Sequence, residues 1–101
     1  MKFNVMERVT LLGILPPTEG SYLTYKILTT LKADLSFSEK DHEDFGLRQE
    51  EGMILWDRSE DKEIEVGDQA KDIIKESLKK LDEAGKINLN NVPLYERFML
   101  E

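Results

Sequence analysis

Acidic side chains are the chemistry-bearing groups this chain has in quantity, and their spacing decides what they could do. Between Glu39 and Val66 eleven acids stand against four bases, so this stretch carries the whole net charge of −7. Within it, Asp57-x-Ser59-x-Asp61-x-Glu63 puts oxygen ligands at alternate positions, as the start of a calcium-binding loop does, because a hard cation takes about six to eight oxygens. The match then stops. Lys62 occupies the place where such loops need glycine, Asp68 stands where a bidentate glutamate is wanted, and the flank before Asp57 reads as a strand. A solvated turn is the expected state of this segment. The neighbouring pairs Glu50-Glu51 and Glu60-Asp61 repel each other on exposed turns, and carboxylates take separate acid and base roles only when burial drives their pKa values apart.

His42 is the one histidine, set among Asp41, Glu43 and Asp44. Those charges would favour its protonated form at close range. A general base needs a nucleophile beside it, and none is evident in the sequence. The same residue falls at the fourth helical position after Ser38, where it can pack on Phe37 as a hydrophobic staple. Trp56 reads as a core anchor on a strand rather than as an exposed binding residue. There is no cysteine, which removes thiolate catalysis and Cys-ligated metals and fits a reducing compartment. Phosphate loops, nucleophile elbows, metalloprotease pairs and dinucleotide fingerprints are also missing. The chain is therefore expected to be no enzyme, with no cofactor and no metal.

The elements that must position these residues are legible from caps and periodicity. Asn4 with Glu7 resembles a capping pair, and Val5, Val9 and Leu12, with Met6 beside them, recur at helical spacing until Pro16-Pro17. Ser21 can cap a second helix with Leu23, Ile27, Leu28, Leu31 and Leu35 on one face. Phe37-Ser38-x-x-Asp41 starts a third, which Gly46 ends. From Leu47 to Glu50 and from Met53 to Asp57 the pattern is that of a hairpin turning on Glu51-Gly52, and Ile64 and Val66 could add a third strand. Ala70, Ile73, Ile74, Ser77, Leu78, Leu81 and Ala84 then mark a long amphipathic helix between Gly67-Asp68 and Gly85. After Asn90-Asn91-Val92-Pro93, a last short helix would return Leu94, Tyr95, Phe98 and Met99 to the core. The fold class this implies is α+β and mainly helical. A small antiparallel hairpin or three-stranded sheet would pack against the N-terminal helices and one long C-terminal amphipathic helix, in a single domain spanning residues 1–101.

Charge then sorts the partners. Nucleic acid is not favoured, because affinity for phosphates needs a basic stripe, and Lys71, Lys75, Lys79 and Lys80 are interleaved with acids. No apolar run is long enough to span a bilayer, and the N-terminal residues lack the layout of a signal peptide, so a cytoplasmic location is expected. What remains is a protein partner. Glu39, Asp41, Glu43, Asp44, Glu50, Glu51, Glu60 and Asp61 are the candidate residues for binding it, with their negative field steering the approach. A homodimer through the long helix is compatible with the pattern. A winged-helix DNA-binding regulator is the alternative, from the order of three helices, a hairpin and a long helix, although Ser38 to Phe45 would then bring four acids against phosphates.

Several segments together resemble a known group. They are Val5-Met6-Glu7-Arg8-Val9 with Leu11 to Pro16, Leu35-Ser36-Phe37-Ser38-Glu39, Arg48-Gln49-Glu50, Trp56-Asp57, Asp72 to Leu81, and Leu94-Tyr95-Glu96-Arg97-Phe98. The chain resembles short uncharacterised proteins encoded by tailed phages and prophages of Gram-positive bacteria. That resemblance implies a source and not an activity, and it carries no catalytic or binding residue; a host or phage protein is the partner expected from the charge segregation, with a structural role in phage assembly as a further alternative. For the oxygen-rich run, the expected result of adding millimolar calcium is an unchanged melting temperature; a rise that EDTA reverses would instead establish a calcium site.

Overall fold

The computed structural model describes residues 1–100. In chain order the elements are β1 (Lys2–Phe3), α1 (Val5–Ile14), α2 (Tyr22–Leu35), α3 (Glu39–Phe45), β2 (Arg48–Glu50), β3 (Met53–Leu55), β4 (Lys62–Glu63), α4 (Asp68–Glu83) and α5 (Val92–Met99). The protein is α+β, with helices predominating and two small antiparallel sheets.

Capping chemistry sets the helix starts. Asn4 Oδ1 accepts the Glu7 N–H at 2.8 Å while Glu7 Oε1 accepts the Asn4 N–H at 2.9 Å, a reciprocal box that satisfies two otherwise orphaned donors at the head of α1. Ser38 and Asp41 repeat it at α3. Ser21 Oγ caps α2 through the Thr24 N–H. Gly46 ends α3 with φ +66°, and the hairpin β2–β3 turns on Glu51 and Gly52, both at positive φ, the conformation of a two-residue primed turn. In that hairpin Arg48 faces Leu55, Gln49 faces Ile54 and Glu50 faces Met53.

The core joins Phe3 of β1, Leu11 and Leu15, Leu31 and Leu35 of α2, Ile64, then Ile74 and Leu78 of α4 and Leu94 and Phe98 of α5. Phe3 and Phe98 stack at 6.3 Å, which brings the last helix back onto the first strand. On α4 the apolar stripe read from the sequence is the inward face, with Ala70, Ile74, Ser77 and Leu78 buried and Ile73 and Leu81 partly so. On α5, Leu94 and Phe98 are buried and Tyr95 and Met99 pack beside them.

Four expectations need correction. Ile64 and Val66 form no third strand of the hairpin: the strand after the polar loop, β4, is Lys62–Glu63, and it pairs with β1, Lys2 opposite Glu63 and Phe3 opposite Lys62. Its reason is burial, because Ile64 enters the core beside Phe3 and exchanges backbone bonds with Met1. Second, the long helix α4 is not the C-terminal element; α5, of eight residues, follows it. Third, the inward face of α1 is centred differently from the expected one: Val5, Arg8, Leu11 and Leu15 are buried and Leu12 packs partly buried beside them, while Val9 is half-buried and Met6 exposed. Fourth, Leu23 is exposed, because α2 begins beyond the edge of the core and its buried stripe starts only at Leu28. The hairpin also contributes little to packing, with Leu47, Leu55 and Trp56 half-buried and Arg48 to Ile54 exposed.

Fully burying an aliphatic side chain is worth about 1.5–3 kcal/mol, and truncation adds the cost of the void. Ile74→Ala and Leu78→Ala, both at fully buried positions, are each expected to lower unfolding stability by about 2–5 kcal/mol in urea titration, whereas Leu23→Ala should change it by less than about 0.5 kcal/mol.

Candidate functional site

The acid-rich stretch is held in place by one arginine that the sequence does not advertise. Arg8 is 1% exposed and carries the largest of the fully buried side chains. Its Nε donates to the Leu35 carbonyl at 3.1 Å and its Nη2 to the Ser36 carbonyl at 2.6 Å, while the guanidinium lies 3.9 Å from the centre of the Phe37 ring. Its Nη2 is also 3.6 Å from Asp41 Oδ2. Helix α1 is thus tied to the end of α2 and the start of α3 through a single side chain. Charged-group hydrogen bonds and a desolvated cation–π contact offset the cost of removing the guanidinium from water.

Electrostatics at this junction follow from that geometry. The Ser38 backbone N–H, and after it Arg8, hold the Asp41 carboxyl below the ordinary aspartate range against the opposing effect of burial. Burial pulls Arg8 below its ordinary value and Asp41 opposes the pull; an arginine starts so high that it stays charged. Asp41 therefore points into the fold's own hydrogen bonds.

An open cleft of about 710 Å³ lies over this junction, with Arg8, Phe37 and Asp41 on one side and Glu60, Asp61 and Glu63 on the other. The loop that brings the second group is pinned at both ends. Ser59 Oγ accepts the Val5 N–H at 3.1 Å, and Lys62 Nζ donates to the Asp34 carbonyl at 2.7 Å. Of the eight candidate partner-binding residues, the cleft collects Asp41, Glu60 and Asp61. The other five lie elsewhere: Glu39, Glu43 and Asp44 are exposed on α3, and Glu50 and Glu51 are exposed at the hairpin tip. Glu60 is paired with Arg58 at 3.0 Å, and Glu50 lies 3.8 Å from Arg48. Among the described residues, Glu39, Glu43, Asp44, Glu51 and Asp61 make no ion pair.

The run from Asp57 to Glu63 does not converge on a common point. Asp57 pairs with Arg48 at 3.1 Å, Ser59 receives the α1 amide, and Glu63 receives the Met1 nitrogen at 3.2 Å. Among the described residues no group of three His, Asp or Glu side chains is placed to hold a metal. His42 is exposed, its ring edge-on to Phe37 at 6.3 Å, as the staple position requires. What this arrangement can do is present fixed charge. Asp57 and Arg58 both donate backbone N–H groups to the Phe45 carbonyl, at 2.7 and 3.1 Å, so the hairpin's far end is anchored to the end of α3.

A second depression, of about 420 Å³, lies between α1 and the hairpin. Val9, Leu12 and Gly13 line it from α1, Leu47, Arg48, Gln49 and Ile54 from the hairpin side, and Phe37 and His42 from α3 and its lead-in. Sequence reading took Val9 and Leu12 as the apolar stripe of α1; Leu12 packs partly buried against the core, but Arg8 was missed. Arg8 stands three residues from both Val5 and Leu11 on the buried stripe, and nothing local marks it as buried, because its acceptors lie 27 and 28 residues away.

No protein-family model, curated protein or solved structure matches the chain. No helix among the described residues is long and apolar enough to cross a membrane.

Removing Arg8 strands the Leu35 and Ser36 carbonyls and opens a void, so Arg8→Ala is expected to cost about 3–5 kcal/mol in urea unfolding. Asp41→Asn should cost about 1 kcal/mol, being partly exposed. Because the folded-state pKa of Asp41 is depressed, its contribution is complete above the ordinary aspartate value near 3.9 and is lost as pH falls through the folded value. Unfolding free energy measured between about pH 2 and 5 should accordingly fall less steeply with acid in Asp41→Asn than in the native chain.

Proposed function

We propose that this protein is a small non-catalytic interaction module, phage-like in origin, that captures a host or phage protein with the acidic surface of α3, the hairpin and the loop before β4. The observation that carries this reading is the uncompensated charge of Glu39, Glu43, Asp44, Glu51 and Asp61, five exposed carboxylates with no cation paired to them on elements that contribute little to the core. Such charges are not required by the fold, and a surface of one sign accelerates encounter with a complementary partner. The resemblance of its segments to small phage and prophage proteins agrees with a protein that works by binding.

The order of three helices and a projecting hairpin also favours a second reading, a winged-helix DNA-binding module. In that mode α3 would face phosphates with Glu39, Asp41, Glu43 and Asp44 against Lys40 alone, an arrangement that opposes binding. A gel shift with duplex DNA at low salt separates the two readings. None is expected here.

Affinity capture from a Gram-positive host lysate, followed by kinetics with the isolated partner, tests the interaction reading. Neutralising Glu43, Asp44, Glu50 and Glu51 to the amides should slow association at least tenfold at low salt while changing dissociation little. Unchanged association, or a lysate that yields no specific partner, would remove the proposal.

A further inference from the structure

Helix α4 leaves one flank uncovered. Beside its buried stripe an open groove of about 670 Å³ runs along the helix from Asp72 to Ala84 and on to Lys86. Ile14, Pro16 and Pro17 form the opposite wall. That wall is set in advance, because the Lys32 ammonium donates to the Pro16 carbonyl at 2.7 Å and to Thr18 Oγ1 at 2.9 Å and so pins the loop after α1. Ile73 and Leu81 reach the groove half-buried and Ala84 reaches it exposed. An apolar strip is thus open along the side of the longest helix.

Charge along this flank is ordered by sign. Asp72 and Glu76 come first, Lys80 follows near the end of α4 and Lys86 lies just beyond it; all four line the groove and are exposed. Among the described residues none of the four makes an ion pair. Glu76 and Lys80 stand four apart on one helix, a spacing at which they could close on each other, and they remain open. The electrostatic complement of a surface that runs from acid to base is one that runs from base to acid. The same helix turned end for end supplies it, and the two helix dipoles then lie antiparallel. An occupant of one sign, such as a nucleic acid or an anionic membrane surface, would be attracted by one half of the groove and repelled by the other.

We infer that the occupant is a second copy of this chain, with the two α4 helices packed antiparallel about a twofold axis that passes midway between Glu76 and Lys80. Glu76 of each copy then lies opposite Lys80 of the other, and Ile73 lies opposite the turn at Glu83 and Ala84, where the small alanine side chain leaves room for it. Because the contact is isologous, every pair in it occurs twice. The inference goes beyond the interaction reading above, since α3 and the hairpin line none of this groove and both copies keep their acidic surfaces free. A dimer presents two such surfaces at once, and a partner with two cationic sites gains avidity from it.

Sedimentation velocity of the full chain between about 5 and 500 μM should show a reversible monomer–dimer equilibrium. Glu76→Lys and Lys80→Glu each set like charges against each other at both contacts, and each should raise the dissociation constant about tenfold or more. Both positions are exposed, so the circular dichroism of each variant should match that of the native chain. Mixed in equal amounts, the two variants should associate with each other at close to the native affinity, because every contact between them joins opposite charges. A chain that sediments as a monomer throughout would overturn the dimer. A dimer that both reversals leave unchanged would overturn this interface, as would two weakened variants that fail to rescue each other on mixing.

Discussion

A guanidinium withdrawn from water has to find partners for its donors, and that requirement organises the first half of this protein. Arg8 meets it with the Leu35 and Ser36 carbonyls and with Asp41, and it lies on the Phe37 ring. The two carbonyls belong to the end of α2, where backbone acceptors lack helical partners, and Asp41 belongs to the head of α3, where a carboxylate complements exposed amides. One side chain thereby specifies the angle between two helices and the helix it comes from. Removing the charge would leave acceptors unmet on both.

The same construction occurs a second time. Phe3-Asn4-x-x-Glu7 and Phe37-Ser38-x-x-Asp41 each supply an aromatic residue, a cap and an acid at the third helical position. Arg97 pairs with Glu7 at 2.8 Å and lies 4.6 Å from the Phe3 ring, as Arg8 pairs with Asp41 over Phe37. In both cases an arginine from a distant helix closes a box that local sequence has already built. Local capping thus becomes long-range fixation: α5 is held to α1 across 90 residues, and α1 to α3 across 33. A cap that also accepts a distant cation is more restrictive than either interaction alone, because each fixes a direction for the other.

These dependencies explain what could be read from the sequence. Asn4, Ser21, Ser38, Gly46 and Gly52 act through their own neighbours, so helix starts, the end of α3 and the hairpin turn are legible. The stripe of α4 is legible because its apolar residues have one face to themselves. On α1 there are two candidate stripes, and choosing between them requires knowing that an arginine is buried, which depends on acceptors 27 and 28 residues away. Two-residue strands span a single period of alternation, which never repeats, so β1 and its pairing with β4 leave no pattern. The acids were legible as a charge and not as a place, since adjacent residues in the chain are carried by a helix, a hairpin and a pinned loop.

Arg8 fixes which stripe of α1 enters the core, while the hairpin on the other side of α3 in the chain contributes little to it. Within residues 39–63 only Phe45 is buried and Leu47, Leu55, Trp56 and Lys62 are half-buried, with Asp41, Ser59, Lys62 and Glu63 bonded to other elements, so the composition of the exposed remainder is open to other demands. If solubility were the only demand, cations interspersed among the acids would serve as well and would avoid self-repulsion. Three of the four bases are instead used internally: Arg48 on Asp57, Arg58 on Glu60 and Lys62 on the Asp34 carbonyl. Engaging three of the four cations within the fold leaves the carboxylates of α3 and the hairpin tip, with Lys40 among them, as the free charge of this stretch.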